Sequence, residues 1–231
     1  MSFNERIEPL RQCIHPVFFE NDDTESPCSG NGTCFLITVG SNCFAVTLKH
    51  IVKDLPPKNI VLMPQYGNPE LVRFDKKYNL KCTDEEESEI EDLVLLRVAY
   101  NKSVDLPVIH IDNTENDWIQ APYNFNYMGF GYPNELRYVD SEQLVAIQHS
   151  FTAEFGGESI FHKCCVLDIV TITGPKSIDG YSGSPVFSWR KGETNIQAMN
   201  FCGVAIHGSY QSKKVHILMR GVIERAAREL S

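Results

Sequence analysis

Short apolar runs recur along the whole chain and are separated by Gly, Pro, Asn and Asp. Runs of roughly four to eight apolar and β-branched residues between such turn residues predict β-strands. A Pro-, Asn- and Asp-rich stretch over 106–123 divides the runs into two sets. The predicted strands of the first set are 33–39, 43–47, 60–63, 71–74, 78–82 and 93–98. Those of the second set are 126–129, 144–147, 165–169, 185–189, 202–206 and 215–219.

Helical patterns are confined to the two ends of the chain. Residues 4–13 form a weakly amphipathic segment, and residues 222–230 have the Glu-, Arg- and Ala-rich composition of a terminal helix. About six short strands on each side of a linker, with so little helix, predict an all-β protein built from two antiparallel barrels or sandwiches. Between the first two predicted strands, Gly40-Ser41-Asn42 indicates a hairpin turn.

Composition and charge narrow the possible partners. The 231 residues are 42% hydrophobic and 22% charged, which is typical of an ordinary globular protein. No stretch approaches the roughly 18 apolar residues that span a bilayer, and the N-terminus lacks the basic and apolar regions of a signal peptide. We therefore expect a cytoplasmic protein without membrane contact. A net charge of −9 with no basic face argues against nucleic acid as a partner.

The densest run of charge is the acidic segment 84–91. Such a run is most simply a solvated loop, although a basic partner or calcium would also be attracted to it. The segment lacks the alternating ligands and the glycine of an EF-hand loop. We therefore expect a solvated loop at these residues.

The chain has eight cysteines, an even number that would suggest a disulfide framework in a secreted protein. Without a signal peptide, reduced and mostly buried thiols are the expected state. Cys13 and His15, together with Cys28 and Cys34, also suggest zinc, but their spacing fits no common zinc finger. We predict neither a metal nor another cofactor. The cysteines are Cys13, Cys28, Cys34, Cys43, Cys82, Cys164, Cys165 and Cys202.

Three segments carry residues with catalytic potential. His50 follows one apolar strand, and Asp92 precedes another. Taken singly, each is more simply a structural or turn residue. Gly180 and Gly183, on the two sides of Ser182, permit a tight turn that exposes the serine hydroxyl and points backbone N–H groups into one concavity. The order His, Asp, Ser along the chain is that of the chymotrypsin-type triad.

These residues stand in motifs that resemble those of the trypsin-like serine peptidase superfamily. Thr-Leu-Lys-His at 47–50 is similar to the family's Thr-Ala-x-His, and Asp-Leu-Val-Leu-Leu at 92–96 is similar to its Asp-Leu-Ala-Leu-Leu. Gly-Tyr-Ser-Gly-Ser-Pro at 180–185 is similar to its Gly-x-Ser-Gly-Gly/Ser-Pro. Gly-Phe-Gly-Tyr-Pro at 129–133 resembles the Gly-Tyr-Pro that opens the second barrel in bacterial and organellar members. The resemblance covers about residues 34–230.

The resemblance implies a fold and a division of the chain. The fold would be two six-stranded antiparallel Greek-key β-barrels with the active site between them and a C-terminal helix. An N-terminal extension would occupy residues 1–30, and the first barrel residues 31–112. The second barrel would follow over 113–219, and the helix over 220–231. The implied activity is that of a serine endopeptidase, closest in style to bacterial and intracellular members.

The resemblance also implies a role for each catalytic residue. Ser182 would be the nucleophile, and His50 would take its proton and pass it to the leaving amine. Asp92 would hold the histidine tautomer and stabilise the imidazolium. The N–H groups of Gly180 and Ser182 would form the oxyanion hole.

A substrate cleft follows from the same resemblance. Ile206, His207 and Gly208 would offer a strand edge to the bound peptide. Trypsin's pocket aspartate is absent, and a basic lining would favour acidic side chains at the cleavage position unless the lysines point into solvent. The expected pocket residues are Lys176 and Ser177 at the floor, with Lys213, Lys214 and His216 on the far wall.

Tyr181 stands where digestive members have the aspartate that receives a new N-terminus after zymogen cleavage. We therefore expect constitutive activity, or control by a protein partner that orders or restrains the loop before Ser182. The expected substrate is a protein or peptide. Two other functions remain compatible with the sequence: a catalytically silent binding module of the same fold, and an esterase using the same triad. A cysteine-type relative is disfavoured, since the nucleophile position holds serine.

Overall fold

The architecture was analysed in a computed structural model of the chain. It describes residues 3–21, 28–62, 71–81, 88–99, 106–111, 117–120, 122–140, 143–175, 177–192 and 199–230. This part of the chain forms two β-barrels joined by a linker, with a helix at the C-terminus.

The first barrel is a closed ring of six strands. Its spatial order is β1-β4-β5-β6-β3-β2, and pairing of β1 with β2 closes the ring. These pairings are all antiparallel, and the short strand β7 (Ile109–His110) adds to β2 in parallel. The six strands are β1 (Ile14–Glu20), β2 (Cys28–Val39), β3 (Asn42–Leu48), β4 (Ile60–Leu62), β5 (Val72–Asn79) and β6 (Leu93–Val98).

The second barrel is also closed, with the order β11-β12-β15-β14-β13-β8. In both rings the fourth strand along the chain pairs with the first, which is the spatial order of a Greek key. A separate hairpin consists of β9 (Arg137–Asp140) and β10 (Gln143–Ala146). The barrel strands are β8 (Phe125–Gly131), β11 (His149–Glu158), β12 (Cys164–Ile172), β13 (Pro185–Arg190), β14 (Asn200–Ser209) and β15 (Lys214–Met219).

Helices are short and lie outside the rings. The terminal ones are α1 (Phe3–Gln12) and α5 (Arg220–Glu229), and both were expected from the sequence pattern. Val222, Ile223 and Ala226 of α5 are buried, because the apolar face of this amphipathic helix packs against the barrel core. Single-turn helices are α2 (Lys49–Val52), α3 (Ser88–Glu91) and α4 (Asp117–Gln120).

The prediction of two six-stranded antiparallel barrels with a C-terminal helix is confirmed. Two details of the strand assignment are corrected. The extension over 1–30 contains β1, a strand of the first barrel, whose residues 14–19 are buried on both faces and therefore show no alternation. The separate strands expected at 71–74 and 78–82 are the single strand β5, in which a shift of register between Phe74 and Lys76 breaks the alternation.

Strand β11 was also missed. Its residues Phe151, Ala153 and Phe155 alternate as a half-buried strand should, but Gly156-Gly157 resembles a turn. In the structure, these glycines coincide with a shift of register between β11 and β12, so the strand continues through them.

Two clusters of buried side chains form the core. The larger cluster fills the first barrel and extends to side chains of the second barrel and of α5, among them Phe130, Phe187 and Ile223. The smaller cluster fills the second barrel and includes Tyr127, Leu167 and Ile217. The junction between the barrels is therefore part of the first barrel's core, and this packing is what holds the two halves of the cleft in position.

The described cysteines are free thiols, and burial raises their pKa values. Cys82 and the side chain of Cys28 lie outside the described part of the chain. Among the residues described, no helix combines the length and the apolar composition required to cross a membrane.

Candidate active site

His50 projects from the single turn of α2, directly after β3. The neighbouring Ile51 and Val52 are buried, so the turn is held by apolar contacts while the imidazole faces outwards. The His50 side chain retains 44% of its exposure, which leaves its ring accessible from the cleft.

Asp92 lies beside His50 because of the pairing of β3 with β6. Leu48 and Leu93 are partners in that ladder, so the residues just beyond them meet at the same end of the sheet. Asp92 Oδ2 is 2.6 Å from Nδ1 of His50, and Asp92 Oδ1 accepts the backbone N–H of His50 at 2.9 Å. A carboxylate can only accept here, so Nδ1 carries the proton and Nε2 is left as a basic nitrogen.

Ser182 lies on the loop that leads into β13. The residues around it are held by backbone hydrogen bonds: Tyr181 N–H donates to Ile178 C=O, Gly183 N–H to Ala205 C=O, and Ser184 N–H to Tyr181 C=O. This loop is therefore ordered by its own bonds and by β14.

Two glycines in this loop have backbone conformations that other residues rarely adopt. Gly180 has φ +93° and Gly183 has φ +84°. A Cβ on Gly180 would lie 2.4 Å from the carbonyl oxygen of Tyr132, and one on Gly183 would lie 2.0 Å from that of Thr33. The sequence pattern Gly-x-Ser-Gly is therefore required by both the backbone angles and close approach.

The two N–H groups expected to form the oxyanion hole are unoccupied donors. No acceptor in the described part of the chain is bonded to the N–H of Gly180 or Ser182, whereas the N–H groups of Tyr181, Gly183 and Ser184 are all bonded. Unbonded N–H groups on either side of a bonded one, beside a serine hydroxyl, are suited to binding an oxygen atom with developing negative charge.

His50, Gly180 and Ser182 line a common cleft of about 330 Å³. No hydrogen bond joins Ser182 Oγ to the His50 ring in this structure. Such bonds are often long before substrate binds, so the shared cleft is the relevant observation. The other residues lining it are Asn31, Gly32, Ile51, Asn134, Glu135, Ile178, Asp179 and Gly208.

A small apolar pocket of about 20 Å³ opens beside Ser182. Gly208 leaves room for the Ile178 side chain, whose Cδ1 is 2.2 Å from where a Cβ on Gly208 would lie. The Ile178 side chain therefore fills space beside Gly208 and keeps the pocket small. The lining residues are Phe151, Ile169, Ile178, Tyr181, Ser182, Ala205, Ile206, His207, Gly208 and Val215.

The expected substrate edge, Ile206 to Gly208, lies at this pocket, but the expected basic wall does not. His216 Nδ1 bonds Ser159 Oγ at 2.8 Å, and Val215 lines the pocket in its place. Burial, with a smaller effect of His207, lowers the pKa of His216.

Those of the other predicted pocket residues that the structure describes are likewise elsewhere. The Lys214 ammonium is 3.2 Å from an Asp168 carboxylate oxygen, and Lys213 occupies a left-handed turn with φ +53°. Ser177 Oγ accepts the N–H of Asp179 and is absent from the lining. Lys176 lies outside the described residues.

Glu89 was assigned to a solvated acidic loop, and this assignment needs correction. Its side chain is only 14% exposed, and Oε2 lies 2.8 Å from His207 Nε2. The His207 ring in turn stacks on the ring of His50 at 6.4 Å. The pair joins α3 of the first-barrel half to β14 of the second, next to His50. No sequence signal distinguished Glu89 from its acidic neighbours, and residues 84–87 lie outside the described part.

The arrangement holds no evident metal site. Among the described residues, no group of three or more His, Cys, Asp and Glu side chains could hold a metal ion. Cys13 Sγ bonds the carbonyl of Pro9, and Cys34 Sγ bonds that of His15.

No model of a known protein family matches the chain, and no curated protein has a significantly similar sequence.

Proposed function

We propose that the chain is a trypsin-like serine endopeptidase. The observation that carries the proposal is the convergence of three features on one cleft: the His50–Asp92 pair, the Ser182 hydroxyl, and the unbonded N–H groups of Gly180 and Ser182. Each feature has a separate structural explanation, but together they meet the requirements of acyl transfer.

The reaction proceeds in two halves. His50 Nε2 takes the proton of Ser182 as Oγ attacks the scissile carbonyl carbon, and the two N–H groups bind the resulting oxyanion. The C–N bond then breaks as His50 passes its proton to the leaving amine, which leaves an ester on Ser182. Water, deprotonated by His50, attacks this ester, and collapse of the second intermediate releases the acid and restores the serine proton. Asp92 holds the His50 tautomer and stabilises the imidazolium that forms.

The substrate chain pairs with the edge of β14 at Ile206 to Gly208, and its side chain at the cleavage position enters the pocket beside Ser182. The described lining of that pocket is mostly aliphatic and aromatic, with Ser182 and His207 as its polar members, and its volume is about 20 Å³. These contacts favour a small apolar side chain over the acidic one expected from the sequence. A peptide library separates the two preferences: cleavage after Ala or Val supports the apolar preference. Cleavage after Glu or Asp would contradict it and support the acidic preference.

Activity should not require N-terminal processing. Tyr181 is buried, and its ring packs edge-on against Phe151 at 5.6 Å, so the loop before Ser182 is already anchored. An unprocessed chain that is inert until its N-terminus is trimmed would contradict this expectation. Activity that appears only with a cellular protein partner would instead indicate external ordering of the loop.

A fluorophosphonate probe tests the activity directly, because it reacts only with an activated serine. The wild-type chain should be labelled, with the adduct on Ser182 by mass spectrometry, and Ser182→Ala should not be labelled. Ser184→Ala is the matched control, since this neighbouring serine is buried and its hydroxyl has no partner among the described residues. It should retain labelling.

The outcomes distinguish the competing functions. Absence of labelling in the wild type would favour a binding module. Labelling with ester hydrolysis but without cleavage of any peptide in the library would favour an esterase. Labelling together with peptide cleavage supports the endopeptidase.

A further inference from the structure

Thr33, a fully buried residue of β2, bonds the nucleophile loop at two points. Its N–H donates to the carbonyl of Ser182 at 2.9 Å, and its Oγ1–H donates to the carbonyl of Gly180 at 2.8 Å. The same Oγ1 accepts the N–H of Tyr132 at 3.0 Å. The carbonyl of Thr33 accepts the hydroxyl of Thr47 at 3.0 Å. Every polar group of this residue is therefore used.

These bonds act on the two residues whose N–H groups face the cleft. An N–H group lies in the peptide plane that precedes its residue, so the planes that contain the Gly180 and Ser182 N–H groups are held by Asn134 N–H to Asp179 C=O and by Ser184 N–H to Tyr181 C=O. Thr33 holds the planes that follow Gly180 and Ser182, through their carbonyl oxygens. It therefore acts on the two N–H groups through the adjoining planes, by restricting the backbone angles of the residues between them. Without the hydroxyl of Thr33, the peptide after Gly180 would lose the donor to its carbonyl.

Thr33 also belongs to the opposite half of the molecule. It lies in the first barrel, and its partner Thr47 is on β3, the strand that leads directly into His50. The backbone ladder pairs β2 with β3 with or without that hydroxyl bond, so Thr33 supports the loop from the first barrel independently of Thr47. An apolar group of the same shape can neither donate nor accept, so replacing this hydroxyl by such a group removes both of its hydrogen bonds.

We infer that Thr33 is a positioning residue that sets the geometry of the oxyanion hole from across the barrel junction. This inference rests on the proposed acyl-transfer function. Thr33 is not among the residues that line the small pocket, so we expect its hydroxyl to affect turnover rather than substrate binding. Its loss should lower the rate about 10- to 100-fold, less than the roughly 10²–10³-fold cost of removing an oxyanion donor itself.

The test compares Thr33→Val with Thr33→Ser. Valine keeps the shape and removes the hydroxyl, whereas serine keeps the hydroxyl and removes a methyl group. The second-order rate of fluorophosphonate labelling should fall about 10- to 100-fold in Thr33→Val and return to within about threefold of wild type in Thr33→Ser. With a cleavable peptide, kcat should follow the labelling rate while KM stays within about twofold.

Thr47→Val is the matched control. It removes an equally buried hydroxyl that bonds only the carbonyl of Thr33 and makes no hydrogen bond to the nucleophile loop. Its thermal stability should fall by less than that of Thr33→Val, because one hydrogen bond is lost instead of two, while its labelling rate stays within about threefold of wild type. If Thr33→Val does not fold, Thr33→Cys replaces it, because cysteine is close to serine in shape and a weak hydrogen-bonding group.

Two results would overturn the inference while leaving the proposed function intact. One is a labelled wild-type chain whose rate is unchanged in Thr33→Val or, if Val does not fold, in Thr33→Cys. The other is an equal loss of rate in Thr33→Val and Thr47→Val, which would indicate a general structural role. A wild-type chain that is never labelled at Ser182 would remove the proposed function, and with it the inference.

Discussion

The two barrels contribute different kinds of chemistry to the cleft. The first barrel supplies side chains: His50 and Asp92 are joined by two hydrogen bonds, and the register of β3 with β6 alone brings them together. The second barrel supplies Ser182 on a loop whose backbone is also required. The loop must keep its glycine conformations and its unbonded N–H groups. A side-chain pair needs local pairing, whereas a backbone site needs support from outside its own loop.

The cores of the two barrels also differ in how far each one extends beyond its own barrel. The interior of the second barrel is a cluster of its own, whereas the first barrel's cluster continues across the junction into residues of the second barrel and α5. Interior packing of the second barrel, through Tyr181 and Phe151, anchors the loop of Ser182 to its own barrel but does not by itself place Ser182 relative to His50. Contacts across the junction do so, with Thr33 as the hydrogen-bonded part of them.

Asp92→Asn tests the side-chain half of this comparison and should have the largest effect. An asparagine amide that faces Nδ1 as a donor forces the imidazole proton onto Nε2, so the base is lost although the geometry remains. Peptide hydrolysis should fall by about 10⁴-fold with little change in stability. Asp168→Asn, which removes an exposed carboxylate of the second barrel, should be indistinguishable from wild type in the same assay. Equal activity of the two variants would mean that Asp92 does not orient the base.

Gly180→Ala tests the backbone half. The added Cβ would meet the Tyr132 carbonyl at 2.4 Å in a conformation with φ +93°, so the loop must move and its N–H group must turn. Turnover should fall by roughly 10²–10³-fold.

Gly192→Ala provides the control for this prediction, because Gly192 has φ +80° and no atom of the described residues lies within 4 Å of the added Cβ. It should lose only about 1 kcal/mol of stability from backbone strain and keep full activity. If both alanine variants lose only stability, close packing around Gly180 does not set the oxyanion geometry.

His15→Leu tests whether a buried histidine makes the core of the first barrel sensitive to acid. His15 is buried in the first barrel with no hydrogen bond to either ring nitrogen from the described residues, and burial lowers its pKa to about 4. Between this value and its ordinary value of 6.5, the unfolded chain binds more protons than the folded one. The free energy of unfolding is therefore highest above pH 6.5. It falls by about 3 kcal/mol in total as the pH is lowered towards 4.

Urea denaturation from pH 7.5 to pH 4 measures this effect. The leucine variant should lose less stability on acidification than wild type, because the buried histidine no longer has to become charged. His110→Gln, at an exposed site, should keep the wild-type dependence on pH. An unchanged pH dependence in His15→Leu would mean that His15 is not the group that makes the first barrel sensitive to acid.

Much of the fold and the candidate triad could be predicted because both have local signals. Apolar runs between turn residues located most of the strands, and each triad candidate stands in a short motif beside a strand end. Strands β1, β5 and β11 were missed or divided, since burial on both faces, a bulge and a glycine pair each disturb the alternation. Local periodicity carries no information about such irregularities.

The specificity pocket and the supporting residues had no comparable signal. His216 and Val215 are neighbours on one strand and point to opposite faces, so the choice between them depends on the phase of the strand. That phase is set by the pairing of Gly208 with Val215, a contact between β14 and β15. Glu89 gave no sign of its approach to His207 for a similar reason, because its partner belongs to the other barrel.

The sequence by itself therefore determined two barrels, a terminal helix and the identity of the triad candidates, since strand periodicity and short motifs are properties of neighbouring residues. The tertiary structure alone decided which residues meet across the cleft: Val215 in place of His216, Glu89 with His207, and Thr33 beneath Gly180 and Ser182. The physical reason is that these contacts depend on strand register and on the packing of one barrel against the other. Both are settled only when distant parts of the chain come together.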